Sequence, residues 1–93
     1  MIHFEWDENK NNSNVIKHGV DFIESESAFY DNNALVIPDP DHSEDEERFI
    51  LIGLSLKGNL LVVVHCYRNN DETIRIISSR KATKREEIDY LKG

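Results

Sequence analysis

The sequence predicts an α+β fold, with an antiparallel sheet and helices packed against one face of that sheet. Two observations lead to this class. Three consecutive runs of β-type residues, separated by short turn signals, occupy residues 48–80, and segments with helix-capping residues lie before and after them. The predicted element order is β-α-α-β-β-β-β-α, in which the later strands follow one another without intervening helices, as is typical of α+β domains.

The first elements are a short strand and a polar helix. Ile2–Trp6 is a β-type run whose apolar residues alternate and therefore share one face. Asp7 has the position of a helix N-cap and Gly19 that of a C′ residue, which predicts a helix between them. Four asparagines lower the helix propensity of this segment. We therefore expect Trp6 and Val15–Ile16 to dock the helix on the core.

A second helix and an edge strand follow. Asp21–Glu24 has the spacing of a capping box with Asp in the first position, so it predicts the start of a helix. This helix is expected to bury Phe22, Ile23 and Phe29 at helical spacing. Ala34–Pro38 then reads as a short edge strand, because proline ends a strand or confines it to an edge.

The second half of the chain predicts a meander and a last helix. Arg48–Leu56 and Leu60–Arg68 flank the hairpin signal Lys-Gly-Asn, and Thr73–Arg80 follows a second polar turn. Three consecutive strands of this kind form an antiparallel meander. Thr83 can then cap a final helix.

Composition indicates one small domain, residues 1–93, with 39% hydrophobic and 31% charged residues. No apolar run approaches the roughly 20 residues that span a bilayer, and the N-terminal residues have no signal-peptide pattern. Cys66 is the sole cysteine, so an intrachain disulfide and a Cys-rich zinc site are excluded. The expected location is cytoplasmic.

The charge is divided unevenly along the chain, whose formal net charge is −7. Residues 1–59 contain four basic residues against thirteen acids, a balance of −9, whereas residues 60–93 contain seven against five, a balance of +2. Five cations fall within eleven residues without an acid among them: Arg75, Arg80, Lys81, Lys84 and Arg85. With a Debye length of about 8 Å, such a local patch matters more than the net charge. The segment is therefore predicted to contact a phosphodiester backbone.

The last hairpin allows two registers. A turn of two or four residues places Cys66 opposite Arg75 and His65 opposite Ile76, whereas a turn of three residues brings His65 onto the face of Arg75. Arg75 stands between isoleucines. If its side chain pointed into the core, burying the charge would cost much free energy unless the charge were paired. We expect one face of the sheet to be open and to display Arg75 and Arg80 to solvent.

The sequence resembles the BrnT-type toxins of bacterial type II toxin–antitoxin systems. The motifs Trp-Asp, Lys-His-Gly, Asp-His-Ser-x-x-Glu-Glu-Arg and Arg-Ile-Ile-Ser-x-Arg-x-Ala-Thr occur in that order, and the resemblance extends from Phe4 to about Glu87. It implies a RelE-like fold and a ribonuclease that cleaves RNA, expected to be mRNA, and arrests translation. It also implies a BrnA-like antitoxin with a ribbon–helix–helix DNA-binding domain, with an antitoxin dimer joining two toxins in a heterotetramer. A RelE-like module that binds such a partner without catalysis is the alternative.

The resemblance also marks site residues. Its basic and histidine motif positions fall on Lys10, Lys17, His18, Arg48, His65, Arg75, Arg80 and Lys81. Cleavage of RNA without a metal requires removal of the 2′-hydroxyl proton, stabilisation of the phosphate charge and a proton for the leaving oxygen. Arg75 and Arg80 are the predicted phosphate-stabilising residues, and His65 or alternatively His18 the proton-transfer residue.

The remaining predicted RNA contacts are made by basic side chains. They are Lys10, Lys17, His18, Arg48, Arg68, Lys81, Lys84 and Arg85. Tyr67 is a further candidate, because its ring could stack on a base.

The acidic run Asp39–Glu47 contains six acids and one histidine. Its oxygen and nitrogen donors suggest a metal, but the spacing and glycine of a calcium loop are missing. We expect a solvated loop that attracts basic residues of the antitoxin, and no cofactor or metal.

Overall fold

The computed structural model describes residues 1–41 and 46–93. It contains the eight elements in the predicted order, which confirms the α+β class. Their bounds are β1 His3–Glu5, α1 Glu8–His18, α2 Phe22–Ala28, β2 Leu35–Pro38, β3 Phe49–Leu54, β4 Leu60–Arg68, β5 Thr73–Lys81 and α3 Lys84–Lys92. None of the helices in the described part of the chain has the length and apolar character needed to cross a membrane.

The five strands form one sheet in the order β1-β5-β4-β3-β2. Strands β2 to β5 pair antiparallel, as predicted, but β1 pairs in parallel with the start of β5. The sheet is therefore mixed, where the sequence predicted an antiparallel one. The reason is topological: the two helices carry the chain across the sheet to β2 at the opposite edge, and the meander returns it beside β1 in the same direction.

The core lies between the sheet and the first two helices. Its buried residues are Val20, Phe22, Ala28, Leu51, Leu61, Val63 and Ile76. Helix α3 instead contacts the opposite face, where Glu86 binds Arg80. The prediction of helices on one face therefore holds for α1 and α2 only. Because just Ala82 and Thr83 separate β5 from α3, the last helix begins directly beside Arg80.

Helix α1 docks through asparagines rather than through its apolar residues. Asn11 and Asn14 are buried, whereas Val15–Ile16 is exposed, with Ile16 at 86%. The Asn11 side-chain oxygen accepts a hydrogen bond from the backbone N–H of Phe22 at 2.9 Å. The prediction that Val15–Ile16 docks this helix is wrong, because hydrogen bonds to the neighbouring backbone attach it instead. Ile23, predicted to be buried in α2, is also exposed, at 68%.

Asn14 protects an edge of the sheet. Strand β1 covers only the first three residues of β5, so the outer edge of β5 is free of strand pairing beyond Arg75. There the Asn14 amide donates to the Ser79 carbonyl at 2.7 Å and accepts from the Ser79 N–H at 3.0 Å. A second donation reaches the Val20 carbonyl at 2.9 Å. Asn14 thus satisfies backbone groups that a neighbouring strand would otherwise bind.

Candidate nucleic-acid interface

A β-bulge brings the strand arginines to one face of the sheet. The pairing of β4 with β5 shifts by one residue and leaves Ile77 without a partner. Cross-strand partners share a face, and Arg75, Ser78 and Arg80 all pair with even-numbered residues within Val62–Cys66. Without the extra residue, side chains five positions apart would point to opposite faces. The bulge therefore places both arginines and Ser78 on the sheet face opposite the core, with Ser78 at the unpaired edge of β5 beside α1.

The same hairpin register separates His65 from the arginines. Strands β4 and β5 are joined by a four-residue turn, with Cys66 opposite Arg75 and His65 opposite Ile76. Of the two registers that the sequence allows, the structure has the one that places His65 on the core face. An RNA strand in contact with Arg75 and Arg80 would lie on the other side of the sheet.

A basic cleft lies where α1 meets the bulged part of β5. Lys10, Lys17 and His18 occur at helical spacing on one face of α1, and they line the cleft together with Ile77 and Ser78. The cleft has a volume of about 300 Å³, and no carboxylate is among its lining residues. Within residues 1–41 and 46–93, neither lysine has an acidic group within 4.0 Å. In a chain with a net charge of −7, the cleft is thus a local positive surface whose lysines form no ion pair among the described residues.

Arg75 is already engaged by an acid of the same chain. Its guanidinium donates to the Glu5 carboxylate at 2.9 Å, and Arg68 lies 3.8 Å from the same oxygen. Arg68 also contacts Glu46 at 3.1 Å. This network lies on the face of Cys66, whose side chain is buried and whose thiol pKa is raised by burial and by Glu46. Cys66 is therefore an unreactive packing residue.

Arg80 forms the most complete ion pair among the described residues. Its two terminal nitrogens donate to the two oxygens of Glu86 at 2.7 and 2.9 Å. These hydrogen bonds are the main cause that lowers the pKa of Glu86 from 4.5 to about 2, and they raise the pKa of Arg80. The arginine side chains of both pairs remain partly exposed, at 31% for Arg75 and 43% for Arg80. The arginines thus lie on the open face, as expected, but each is paired rather than free in water.

The pairing of Glu86 with Arg80 should make the stability of the protein fall in acid. Because its folded pKa is lowered, its contribution is present above pH 4.5 and is lost as the pH falls towards 2. Solvent screening at half-exposed Arg80 reduces this contribution to about 1–2 kcal/mol. We expect Glu86→Gln to lower the free energy of unfolding by that amount at pH 6, and the difference from wild type to shrink at pH 2.5. Urea denaturation at both pH values measures this, and a difference independent of pH would contradict it.

His65 is a core residue in this structure. It is 0% exposed, and its ring nitrogens lie 3.1 Å from the Val63 carbonyl and 3.3 Å from the Tyr67 hydroxyl. Its ring stacks edge-on with Phe29 at 4.8 Å, and burial lowers its pKa. The predicted proton-transfer role of His65 would require it to leave this packing, whereas His18, the other histidine considered, already lines the cleft.

Tyr67 lies in an acidic environment. It lines a cavity of about 520 Å³ with Phe49 and three acids, Glu46, Glu47 and Asp71. Burial and the charge of Asp71 raise the pKa of its hydroxyl. These carboxylates would repel phosphates, so the surroundings do not favour the predicted stacking on an RNA base.

The other predicted contacts do not line the cleft. Lys81 and Lys84 are exposed at the end of β5 and the start of α3, and Arg85 lies 3.9 Å from Asp89. Arg48 directly precedes β3. In the acidic run, His42, Glu44 and Asp45 lie outside the described residues, so the metal reading stays a sequence interpretation.

Three residues of this interface were missed by sequence reasoning. Ser78 joins the site only because of the bulge, for which the sequence has no signal. Glu5 and Glu86 engage the arginines, and only Glu86 had a local signal, since Thr83 and Glu86 have the spacing of a capping box. Both hydrogen bonds of that box are present.

Comparison with known proteins identifies the family. Residues 6–86 match the family model described as the ribonuclease toxin, BrnT, of type II toxin–antitoxin systems. The chain belongs to the BrnT family. The crystal structure of the Brucella abortus ribonuclease toxin BrnT is similar to this structure, with a TM-score of 0.68 and 28% sequence identity over 90% of this chain and 100% of that one. A search of curated proteins finds no match.

Family membership confirms the expected class of activity. BrnT proteins are ribonuclease toxins of type II systems, which implies an antitoxin partner and an RNA substrate. The α+β architecture of this BrnT-family chain matches that of the Brucella toxin and is compatible with the RelE-like fold.

Proposed function

We propose that this BrnT-family toxin cleaves mRNA in the cytoplasm without a metal and thereby arrests translation, with the RNA backbone bound in the cleft between α1 and β5. The observation that carries the proposal is the cleft itself. It combines two lysines and a histidine with no lining carboxylate, in a protein whose overall charge would repel RNA.

The residues of the cleft supply two of the functions that the reaction needs. Lys10 and Lys17 are point charges that bind phosphates. His18, in the last turn of α1, is the proton-transfer residue. It accepts the 2′-hydroxyl proton while the 2′-oxygen attacks phosphorus; the bond from phosphorus to the 5′-oxygen breaks, and the proton passes to that leaving oxygen, giving a 2′,3′-cyclic phosphate and a 5′-hydroxyl. His65 is unsuited to this role, because its ring is buried and enclosed by aromatic side chains.

The strand arginines extend the basic surface beyond the cleft. Arg80 lies two residues from Ser78, a distance of roughly 7 Å along a strand, and on the same face. Arg80 and Arg75 lie on opposite sides of Ser78 along β5. The nucleotide on one side of the cleft would therefore reach Arg80, and the nucleotide on the other side would reach Arg75. Their planar forks match phosphate oxygens and can stabilise charge that develops in the transition state.

The proposed partner is a BrnA-like antitoxin with a ribbon–helix–helix domain. A two-fold antitoxin dimer would bind two toxins and form a heterotetramer. Acids in the run Asp39–Glu47 would attract basic residues of this partner and increase the association rate at low salt.

The binding site is tested by neutralising the cleft lysines. Lys10→Gln combined with Lys17→Gln should weaken binding of a short single-stranded RNA about 10- to 100-fold and lower the slope of log K against log salt by about 1.4, because two phosphate contacts are lost. Fluorescence anisotropy measures both quantities. Primer extension on mRNA after induced expression should show cleavage by wild type and much less by the double variant.

The matched control has the same change of charge elsewhere. Lys57 and Lys92 are exposed and lie away from the cleft, so Lys57→Gln with Lys92→Gln should reduce binding far less. Equal losses in the two double variants would show a general charge effect and would refute the cleft as the RNA site. Wild-type expression with neither growth arrest nor RNA cleavage would favour a non-catalytic interaction module.

A further inference from the structure

We propose that Glu86 is a positioning residue that limits the affinity of this protein for RNA, because it occupies the guanidinium of Arg80. The inference rests on the proposed function, since it concerns the basic surface next to the α1–β5 cleft. Glu86 would be an acidic residue that regulates a site whose other proposed RNA contacts are basic side chains.

The geometry of the pair makes Glu86 a competitor for a phosphate. Both terminal nitrogens of Arg80 donate to Glu86, one to each carboxylate oxygen, at 2.7 and 2.9 Å. Arginine binds a phosphate through the same fork of parallel N–H groups. A phosphate can therefore receive these two hydrogen bonds only when Glu86 releases them.

Glu86 is itself held in place by the start of α3. One of its oxygens accepts from the Thr83 backbone N–H at 2.8 Å, and its own N–H donates to the Thr83 hydroxyl at 3.2 Å. The carboxylate thus links Arg80 to a helix N-terminus, where a negative charge is favourable. Displacing it would disturb the cap as well as the ion pair, so the competition with RNA is a strong one.

The pairing of Arg75 is looser. Glu5 contacts Arg75 through one oxygen and shares that oxygen with Arg68 at 3.8 Å. Arg75 thus donates one hydrogen bond to its carboxylate, whereas Arg80 donates two to Glu86 and leaves its Nη1–Nη2 fork unavailable to a phosphate while that pair persists. Among the two strand arginines, Arg80 is the one whose contribution to RNA binding is most restrained.

Glu86→Gln separates the charge of this residue from its role in the helix cap. Glutamine serves in a capping box as well as glutamate does, and its amide oxygen can still orient Arg80. The variant should bind a 2′-O-methyl RNA oligonucleotide about three- to tenfold more tightly than wild type and steepen the slope of log K against log salt by about 0.7. The methylated RNA lacks the attacking hydroxyl, so binding is measured without cleavage.

Two further variants serve as controls: one for the change of net charge, and one for the requirement for Arg80. Glu87→Gln makes the same change of charge one residue away, where no contact with Arg80 exists among the described residues. It should tighten binding by less than twofold. In the Arg80→Gln background, Glu86→Gln should give no further tightening, because the gain acts through Arg80.

The outcomes distinguish this inference from the proposed function. Equal tightening in Glu86→Gln and Glu87→Gln, or no tightening in either, overturns the role of Glu86 even if the cleft lysines are essential. Tightening that depends on Arg80 while the lysine variants bind normally supports the role of Glu86 and refutes the cleft. Absence of RNA binding by wild type and by Glu86→Gln overturns both.

Discussion

Replacing His18 by asparagine should lower the rate of RNA cleavage about 100- to 10,000-fold, the usual contribution of general acid–base catalysis. Binding of the 2′-O-methyl RNA should change by less than about threefold, because Lys10 and Lys17 retain the phosphate contacts. The physical reason is that asparagine keeps a polar side chain at the end of α1 but cannot accept and return a proton at neutral pH. Single-turnover cleavage of a labelled mRNA fragment measures the rate.

The control for this prediction is another exposed histidine. His3 lies in β1, outside the cleft, and His3→Asn should leave the rate unchanged. A His18→Asn variant that cleaves as fast as wild type would remove His18 from the mechanism. If His65→Asn remained folded but lost cleavage in the same experiment, the role would return to His65, and the buried ring would have to become accessible during the reaction.

Replacing Asn14 by alanine should lower the free energy of unfolding by about 3 kcal/mol, the largest loss of stability that we expect from a single polar residue here. The variant loses both hydrogen bonds to Ser79 and the one to Val20. Their backbone partners would remain in a buried region, where unsatisfied polar groups are costly. Urea denaturation followed by circular dichroism measures the change.

Asn12 provides the matched control in the same helix. It is exposed, so Asn12→Ala should leave stability unchanged or raise it slightly through the better helix propensity of alanine. A loss below about 1 kcal/mol in Asn14→Ala would show that water replaces the amide at the edge of β5. The Asn14 bonds would then be dispensable for the position of α1.

The net charge of this protein would repel RNA, but part of its positive charge is concentrated in one place, on α1. Most acids precede residue 60, and Glu5 and Glu86 offset two arginines on the open face. The lysines of α1 escape this neutralisation, which is why the cleft rather than the arginine-rich segment is the strongest basic feature. An RNA strand would first meet Lys10 and Lys17 and would gain Arg80 only by displacing its carboxylate.

Much of the fold was predictable because its signals are local. Asp7, Gly19 and Thr83 cap helices where the sequence placed them, and the polar turns separate the strands of the meander. The parallel pairing of β1 was not predictable in this way, since it joins the two ends of the chain. The docking of α1 was predicted wrongly because burial was assigned by hydrophobicity, whereas Asn14 is buried by hydrogen bonds to a strand 65 residues away.

By itself, the sequence determined the family, the α+β class and the set of cations from which an RNA site can be built, since these depend on motifs, periodicity and composition. Only the tertiary structure decided which of those groups act together. The extra residue Ile77 reversed the face on which the later residues of β5 lie, and the even-length turn placed His65 in the core. Glu5, 70 residues away in sequence, engaged Arg75, and the turn from β5 into α3 brought Glu86 onto Arg80. The physical reason is that the face of a strand residue depends on the parity of its register, and the partner of a charge on proximity in space; neither is written in the local sequence.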